Sequence, residues 1–243
     1  MPETTIQTPF ALTAGVHSIA GKRNSYEDRV LLSPELRLFA VADGLGGHLD
    51  GDVAAQTCVD ILFSEIEQSG EPSIHAMRNA VELAHRAVRA LDVCRVTKTP
   101  QHKLSCYCRP PGTTLTALWF KPRSVIVAHI GDCRVYHWTH PESECRVITQ
   151  EHRSRGGLSK HVGRYYGELE PDIFELAVEP GHALLVCSDG LWEPLEKLGA
   201  TVRASDLEAP MEGSRNLVSL VEASSDDNIS ALLVVIGPAE QQS

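Results

Sequence analysis

Apolar positions along the chain follow two rhythms. Continuous or alternating runs of strand length occur at 12–20, 28–32 and 36–42, and again at 113–120, 124–130, 133–138, 144–149, 172–178, 183–188 and 229–236. Helical spacing fills the gap between the two groups. From about Asp52, apolar residues recur at Val53, Cys58, Ile61, Leu62 and Ile66. Ile74, Met77, Val81, Ala84, Val88 and Leu91 then advance in alternating steps of three and four, with Pro72 suited to the first turn of that second helix. A further helix is expected near 213–223. The rhythm fails at 92–111, a basic stretch with Pro100, Pro110 and Pro111 that reads as a loop, and at Glu151–Gly167, which is rich in Gly and Arg and reads as irregular. Gly131-Asp132, between two strands, has the form of a two-residue hairpin turn. Many strands with adjacent helices predict an α+β layered architecture, two sheets packed together and covered by helices. A single domain over 1–243, with its core at about 12–236, accommodates all of these elements.

Composition narrows the class without naming a function. With 42% hydrophobic and 22% charged residues the chain is globular rather than disordered. A formal net charge of -10 repels phosphate backbones and disfavours nucleic acid as a partner. The same acidity fits a cluster of carboxylates held by divalent cations, or simple solubility. Seven cysteines are scattered without a disulfide framework. Met1-Pro-Glu-Thr-Thr carries no basic start followed by an apolar run, and no apolar stretch approaches the ~18 residues of a membrane span. Reduced thiols, a cytoplasmic location and no membrane partner are the expectation.

The chemistry lies in the placement of the aspartates. Ala40-Val-Ala-Asp43-Gly44-Leu45 and Val186-Cys-Ser-Asp189-Gly190-Leu191 repeat one local pattern of apolar strand, Asp, Gly, Leu. Asp28 borders another strand, Asp132 sits in the expected turn, and Asp227 opens the last strand. One Asp-Gly after a strand is usually just a turn. Several acids at strand ends, however, converge on one sheet edge, where they repel unless protonated or joined by a cation. All-oxygen groups of this kind suit Mg²⁺ or Mn²⁺, and two such ions acidify a water and clamp a phosphoryl oxygen. Spacing alone supports a divalent-metal site and leaves the reaction open.

Six motifs in order make the resemblance specific. Arg23-Asn-Ser-Tyr-Glu27-Asp28, Val41-Ala-Asp43-Gly44-Leu-Gly-Gly-His48, Gly112-Thr-Thr-Leu, Ile130-Gly-Asp132-Cys-Arg134-Val-Tyr, Cys187-Ser-Asp189-Gly190-Leu and Asp226-Asp227-Asn228-Ile229-Ser resemble those of the protein phosphatase 2C family, metal-dependent serine/threonine phosphatases, in its bacterial form. The resemblance implies an αββα four-layer sandwich of two mostly antiparallel sheets flanked by helices. It implies two Mn²⁺ or Mg²⁺ ions per subunit, bridged by Asp43, with Asp189 and Asp227 on one, the Gly44 carbonyl on the other, and Asp28 and Glu27 acting through bound waters. Asp132 matches a ligand of a third, looser metal, and Arg23 the arginine that grips the substrate phosphate. The implied reaction is direct in-line attack of a metal-activated water on phosphoserine or phosphothreonine. The implied partners are phosphoproteins made by a bacterial Ser/Thr kinase, met by a monomeric enzyme.

The sequence departs from the family at three places. Tyr26 stands where an asparagine is frequent in bacterial relatives, a position at which eukaryotic members vary. Leu45 stands where animal members carry a histidine general acid, so leaving-group protonation falls to water or another group; nearby His48 reads as a loop histidine. The flap that separates Thr149-Gln-Glu-His152 from Leu158-Ser-Lys-His-Val-Gly163 in most bacterial relatives is reduced to Arg153–Gly157, which predicts a more open site. Cys106-Tyr-Cys108 with His102 lacks a fourth zinc ligand and reads as reduced loop thiols. Arg95, Lys98, His102, Lys103 and Arg109 form either a solvated charge run or a docking patch for an acidic phosphoprotein. Two other readings stay open beside the phosphatase: a catalytically silent phosphoprotein-binding regulator, and a phosphohydrolase for a small phosphorylated molecule.

Overall fold

The computed structural model describes residues 10–45, 50–91, 95–98, 104–107, 111–155, 157–164 and 169–238. The first strands are β1 (Phe10–Ile19), β2 (Asp28–Ser33) and β3 (Leu38–Asp43), followed by helices α1 (Gly51–Ser69) and α2 (Ile74–Arg89). The middle of the chain holds β4 (Arg95–Lys98), β5 (Leu104–Tyr107), β6 (Leu115–Phe120), β7 (Ser124–Ile130), β8 (Arg134–Trp138) and β9 (Arg146–Val147). Then come β10 (Arg153–Ser154), β11 (Gly157–Leu158), β12 (Asp172–Ala177) and β13 (Ala183–Cys187). Helices α3 (Asp189–Leu198), α4 (Ala204–Glu208) and α5 (Pro210–Val221) precede the last strand, β14 (Ile229–Pro238).

Two five-stranded sheets, ordered β1-β14-β13-β8-β9 and β12-β7-β6-β3-β2, make the centre, and every pairing described is antiparallel. Their inner strands read as unbroken apolar runs because both faces are buried. On β3, Phe39 and Val41 turn into the space between the sheets, where they meet Val186 and Leu232, while Leu38, Ala40 and Ala42 turn outward against α1 and α2. The other sheet behaves likewise. Leu184, Val186, Leu232 and Val234 face inward, and Leu185, Cys187, Ala231 and Leu233 pack under Leu191, Trp192, Leu217 and Val221 of α3 and α5. The order of layers is therefore helices, sheet, sheet, helices. Among the described residues no helix is long and apolar enough to cross a membrane.

Several elements differ from the sequence reading. The supposed loop at 92–111 contains the β4–β5 hairpin, paired from Arg95 opposite Tyr107 to Lys98 opposite Leu104. His102, Lys103, Cys108 and Arg109 lie outside the described residues. Gly131-Asp132 closes no hairpin: β7 and β8 belong to different sheets, and the turn carries the chain from one to the other. Glu151–Gly167 includes the short β10–β11 pair. Ser73, not Pro72, begins α2, its side chain accepting from the Ala76 amide at 3.1 Å. Helix α3 was not anticipated, because Gly190 and Pro194 both weaken its helical signal.

Candidate active site

One end of the two sheets collects the acids. The antiparallel register of β2 and β3 sets Asp28 directly opposite Asp43, β13 delivers Asp189 at the first turn of α3, and Asp227 stands two residues before β14. The β7–β8 crossing brings Asp132 to the same place from between the sheets. A cavity of about 170 Å³ lies there, walled by the carboxylates of Glu27, Asp43, Asp132, Asp189 and Asp227, with Arg23, Gly44 and Leu158.

Asp28 is the exception among the expected acids. It lies fully buried beneath the cavity rather than on its wall. Its Oδ2 accepts hydrogen bonds from Ser188 Oγ at 3.0 Å and Ser230 Oγ at 2.5 Å, while Oδ1 has no partner. Asp43 is held through its backbone: its amide donates to Thr114 Oγ1 at 2.9 Å, and its carbonyl accepts from the Thr114 amide at 2.8 Å and Thr113 Oγ1 at 2.9 Å. Both main-chain groups of Asp43 are thereby tied down, and the carboxylate is left for the cavity.

The glycine after Asp43 has a packing reason. A Cβ on Gly44 would fall 2.4 Å from the Gly51 carbonyl oxygen and 2.9 Å from that of Glu27, so the start of α1 and the Glu27 loop close over it. Asn228 joins that loop to β14. Its Oδ1 accepts from the Glu27 amide at 2.7 Å, and its Nδ2 donates to the carbonyls of Ala20 and Ser25, both at 2.9 Å. This clamp sets the loop that presents Arg23 and Glu27.

Two arginines engage the acids from opposite flanks. Arg23 donates from Nη2 to Asp227 Oδ2 at 2.7 Å and from Nε to the Asp226 carbonyl at 2.9 Å. Arg153 donates to Asp132, Asp189 and Glu193. The β10–β11 pair, where the flap is reduced, brings Leu158 to the cavity wall and Arg153 onto Asp132 and Asp189, two of the acids that line it. His152 fixes the turn below. Its ring Nδ1 accepts from the Gly131 amide at 3.1 Å, and its own amide donates to the Gly131 carbonyl at 2.7 Å.

Electrostatics make the cluster costly to keep ionised. Burial, then the charges of Asp28, Asp189, Asp132 and Asp227, pushes the Asp43 carboxyl well above its ordinary range. Burial also raises Asp189, with Asp132 and Asp227 adding to it and Arg153 opposing. Asp28 rises through burial despite its two serine donors, and Asp132 rises through burial against the pull of Arg153. Asp28 Oδ1, Asp189 Oδ1 and Glu27 Oε2 are buried without a hydrogen-bond partner. Orphaned oxygens and mutually repelling carboxylates are the donor chemistry of a hard divalent cation, and the residues fit Mg²⁺ or Mn²⁺ in kind. Among the described residues no three acid, His or Cys side chains stand ready around a single point, and Asp227 and Asp189 each pair with an arginine.

Glu27, Asp43, Gly44, Asp132, Asp189, Asp227 and Arg23 therefore share one cavity, with Asp28 behind it, and His48 lies outside the described residues. Sequence reasoning missed Arg153, Asn228, Thr114 and Ser188 as parts of this site. Asn228 and Ser188 stood inside quoted motifs and carried a signal, whereas nothing local distinguished Arg153 from a surface cation.

Comparison with known proteins gives a consistent result. A family model for protein phosphatase 2C matches residues 22–222. The serine/threonine protein phosphatase PstP of Mycobacterium tuberculosis is 26% identical over 215 residues, covering 81% of this chain and 40% of that protein. This chain thus spans well under half of PstP. The serine/threonine phosphatase stp of Listeria monocytogenes is 26% identical over 219 residues, covering 80% of this chain and 82% of that protein. A crystal structure of the PstP catalytic domain in complex with 2 manganese ions superposes with a TM-score of 0.74 at 25% identity, covering 94% of this chain and 99% of that one.

Proposed function

The chain belongs to the protein phosphatase 2C family, and from that membership we propose that it is a metal-dependent protein serine/threonine phosphatase. The observation that carries this reading is the convergence of five carboxylates and Arg23 on one cavity at the sheet ends. Asp43, the Gly44 carbonyl, Asp189 and Asp227 hold two Mn²⁺ or Mg²⁺ ions, Glu27 assists through water, and Asp28 buttresses Asp43 from beneath. Bound there, the ions would supply Lewis acidity and would lower the pKa of a water.

The chain's own residues do the rest. Five carboxylates repel a dianionic phosphate ester, so binding it requires cations in the cavity. Arg23 is the chain's cation on the Asp227 side, and among the described residues its Nη1 has no partner and is free to donate to a phosphate oxygen. The bond from phosphorus to the serine or threonine oxygen breaks as that to the water oxygen forms. The products are a free hydroxyl and inorganic phosphate. The substrates in this reading are phosphoproteins made by a Ser/Thr kinase, met by a monomeric cytoplasmic enzyme.

Hydrolysis of a phosphothreonine peptide, with and without Mn²⁺, tests the reading against Asp189→Asn. Turnover is expected to require the metal and to fall at least about 100-fold in the variant. Folded, Mn²⁺-loaded protein without turnover would instead indicate a phosphoprotein-binding regulator. Faster hydrolysis of small phosphate esters than of phosphopeptides would indicate a small-molecule phosphohydrolase.

A further inference from the structure

A line of hydroxyls runs from the surface to the acid beneath the cavity. Tyr26 is 40% exposed and donates from its phenol to Ser18 Oγ at 2.5 Å. Ser18 Oγ meets Ser230 Oγ at 2.5 Å, and Ser230 Oγ donates to Asp28 Oδ2 at 2.5 Å. The four groups come from four places: the loop before β2, then β1, β14 and the first residue of β2. Strand register fixes the middle of the line, since Ser18 stands directly opposite Ser230 where β1 pairs with β14.

Counting hydrogens gives the line a direction. A carboxylate only accepts, and a hydroxyl has one hydrogen to give. Ser230 gives its hydrogen to Asp28, so the hydrogen between the two serines is that of Ser18. Ser18 then has none left for Tyr26, and the phenol is the donor. Every O–H points inward, an order in which each bond polarises the next. Ser188 joins from the far side, its Oγ accepting from the Ser230 amide at 3.0 Å and donating to Asp28 Oδ2 at 3.0 Å. Both donors thus fall on Oδ2. Oδ1 is left buried without a hydrogen-bond partner, on the residue directly opposite Asp43.

The outer end of the line is also held. Arg29 donates from Nη1 to the Tyr26 carbonyl at 2.9 Å and from Nε to Gln56 Oε1 of α1 at 2.8 Å. Its guanidinium carbon lies 5.6 Å from the centre of the Tyr26 ring. The phenol is exposed enough to bond water instead, yet it turns back onto β1.

We propose that Tyr26 is a positioning residue of the metal centre. Its phenol starts a one-way line of hydroxyl hydrogen bonds that holds Asp28 by Oδ2 and keeps Oδ1 for the acidic end of the sheets. A surface side chain thereby sets a buried acid through two serines, and losing the phenol leaves Ser18 and Ser230 without the donors that order them. The inference rests on the metal reading above and concerns how tightly the cavity holds an ion.

Mn²⁺ affinity of the full chain, measured by calorimetry, tests it, with urea unfolding in chelator alongside. Tyr26→Phe and Ser18→Ala each break the line once, and each is expected to weaken Mn²⁺ binding about fivefold. The double variant is expected to weaken it about fivefold as well, because a broken line has nothing further to lose. Ser18→Thr keeps the hydroxyl and should bind Mn²⁺ as wild type does. A merely structural contact would lower the unfolding midpoint in chelator and leave the Mn²⁺ affinity where it was. Unchanged affinity in Tyr26→Phe therefore overturns the inference, as does an additive loss of about 25-fold in the double variant. Wild type that binds no Mn²⁺ overturns the metal reading itself, a result distinct from either.

Discussion

Asn228 and His129 show how single side chains set the site and its pH response. Asn228 is buried and bonds the Glu27 amide and the carbonyls of Ala20 and Ser25 at once, so Asn228→Ala removes three hydrogen bonds from the loop, with only the Ala20 carbonyl keeping another donor, the Arg23 amide. It should cost on the order of 3 kcal/mol in urea unfolding, and it should lower phosphatase activity as the Arg23–Glu27 loop loosens. His129 is 1% exposed; its Nε2 donates to the Gln150 carbonyl at 3.0 Å and its Nδ1 accepts from Thr116 Oγ1 at 2.9 Å, which requires the neutral ring. Burial pushes its pKa down to about 4 from 6.5. The unfolded chain therefore takes up this proton first as pH falls, and the stability from the neutral ring, full above the unfolded value, is lost between about 6.5 and 4. His129→Gln does not titrate, so the stability gap between wild type and variant should narrow by on the order of 3 kcal/mol as pH falls from 7 to 4, as measured by urea titrations at each pH.

Helix α3 carries the catalytic end of the second sheet, and contact with β14 holds it in place more than its own propensity does. A Cβ on Gly190 would lie 1.9 Å from the Asn228 carbonyl oxygen, a backbone atom that cannot step aside. At the other end of the helix Gly199 adopts φ 60° and meets nothing within 4 Å. Gly190→Ala is therefore expected to cost about 3 kcal/mol or more and to displace Asp189 and Asp227 together, while Gly199→Ala costs about 1 kcal/mol and spares activity. Thermal melts paired with peptide-hydrolysis rates separate the two. The pair also explains why the helix was not legible: Gly190 and Pro194 read as breakers, yet Leu191, Trp192 and Leu195 are buried under the sheet and hold it. The β7–β8 turn failed for a related reason, since local sequence does not say whether two adjacent strands share a sheet.

The four layers are stable as packed apolar cores, but the acidic end works against them. Carboxylates that repel one another in the folded state are a standing cost that cations relieve, and the unfolded chain has no such cluster. Mn²⁺ at about 100 times its dissociation constant should therefore stabilise the chain by about 2.7 kcal/mol per site, a rise of roughly 5–10 °C in Tm, and chelation should reverse it. A Tm indifferent to Mn²⁺ and to chelator would speak against the metal reading.

The layered α+β class, the ten strands of the two central sheets, the two long helices and most of the acids at the cavity are determined by the sequence alone, because burial on two faces and the placement of Asp at strand ends leave local signatures. Asp28, Asp43, Asp189 and Asp227 are each within a residue or two of a run that fixes their place along a strand. The tertiary structure decided the rest. It moved Asp28 behind the cavity, made Gly44 a packing residue, turned Gly131-Asp132 into a bridge between sheets, and set Arg153 on Asp132, Asp189 and Glu193. These are meetings between residues far apart in the chain, decided by how the two sheets and α3 pack, and no run of neighbouring residues encodes them.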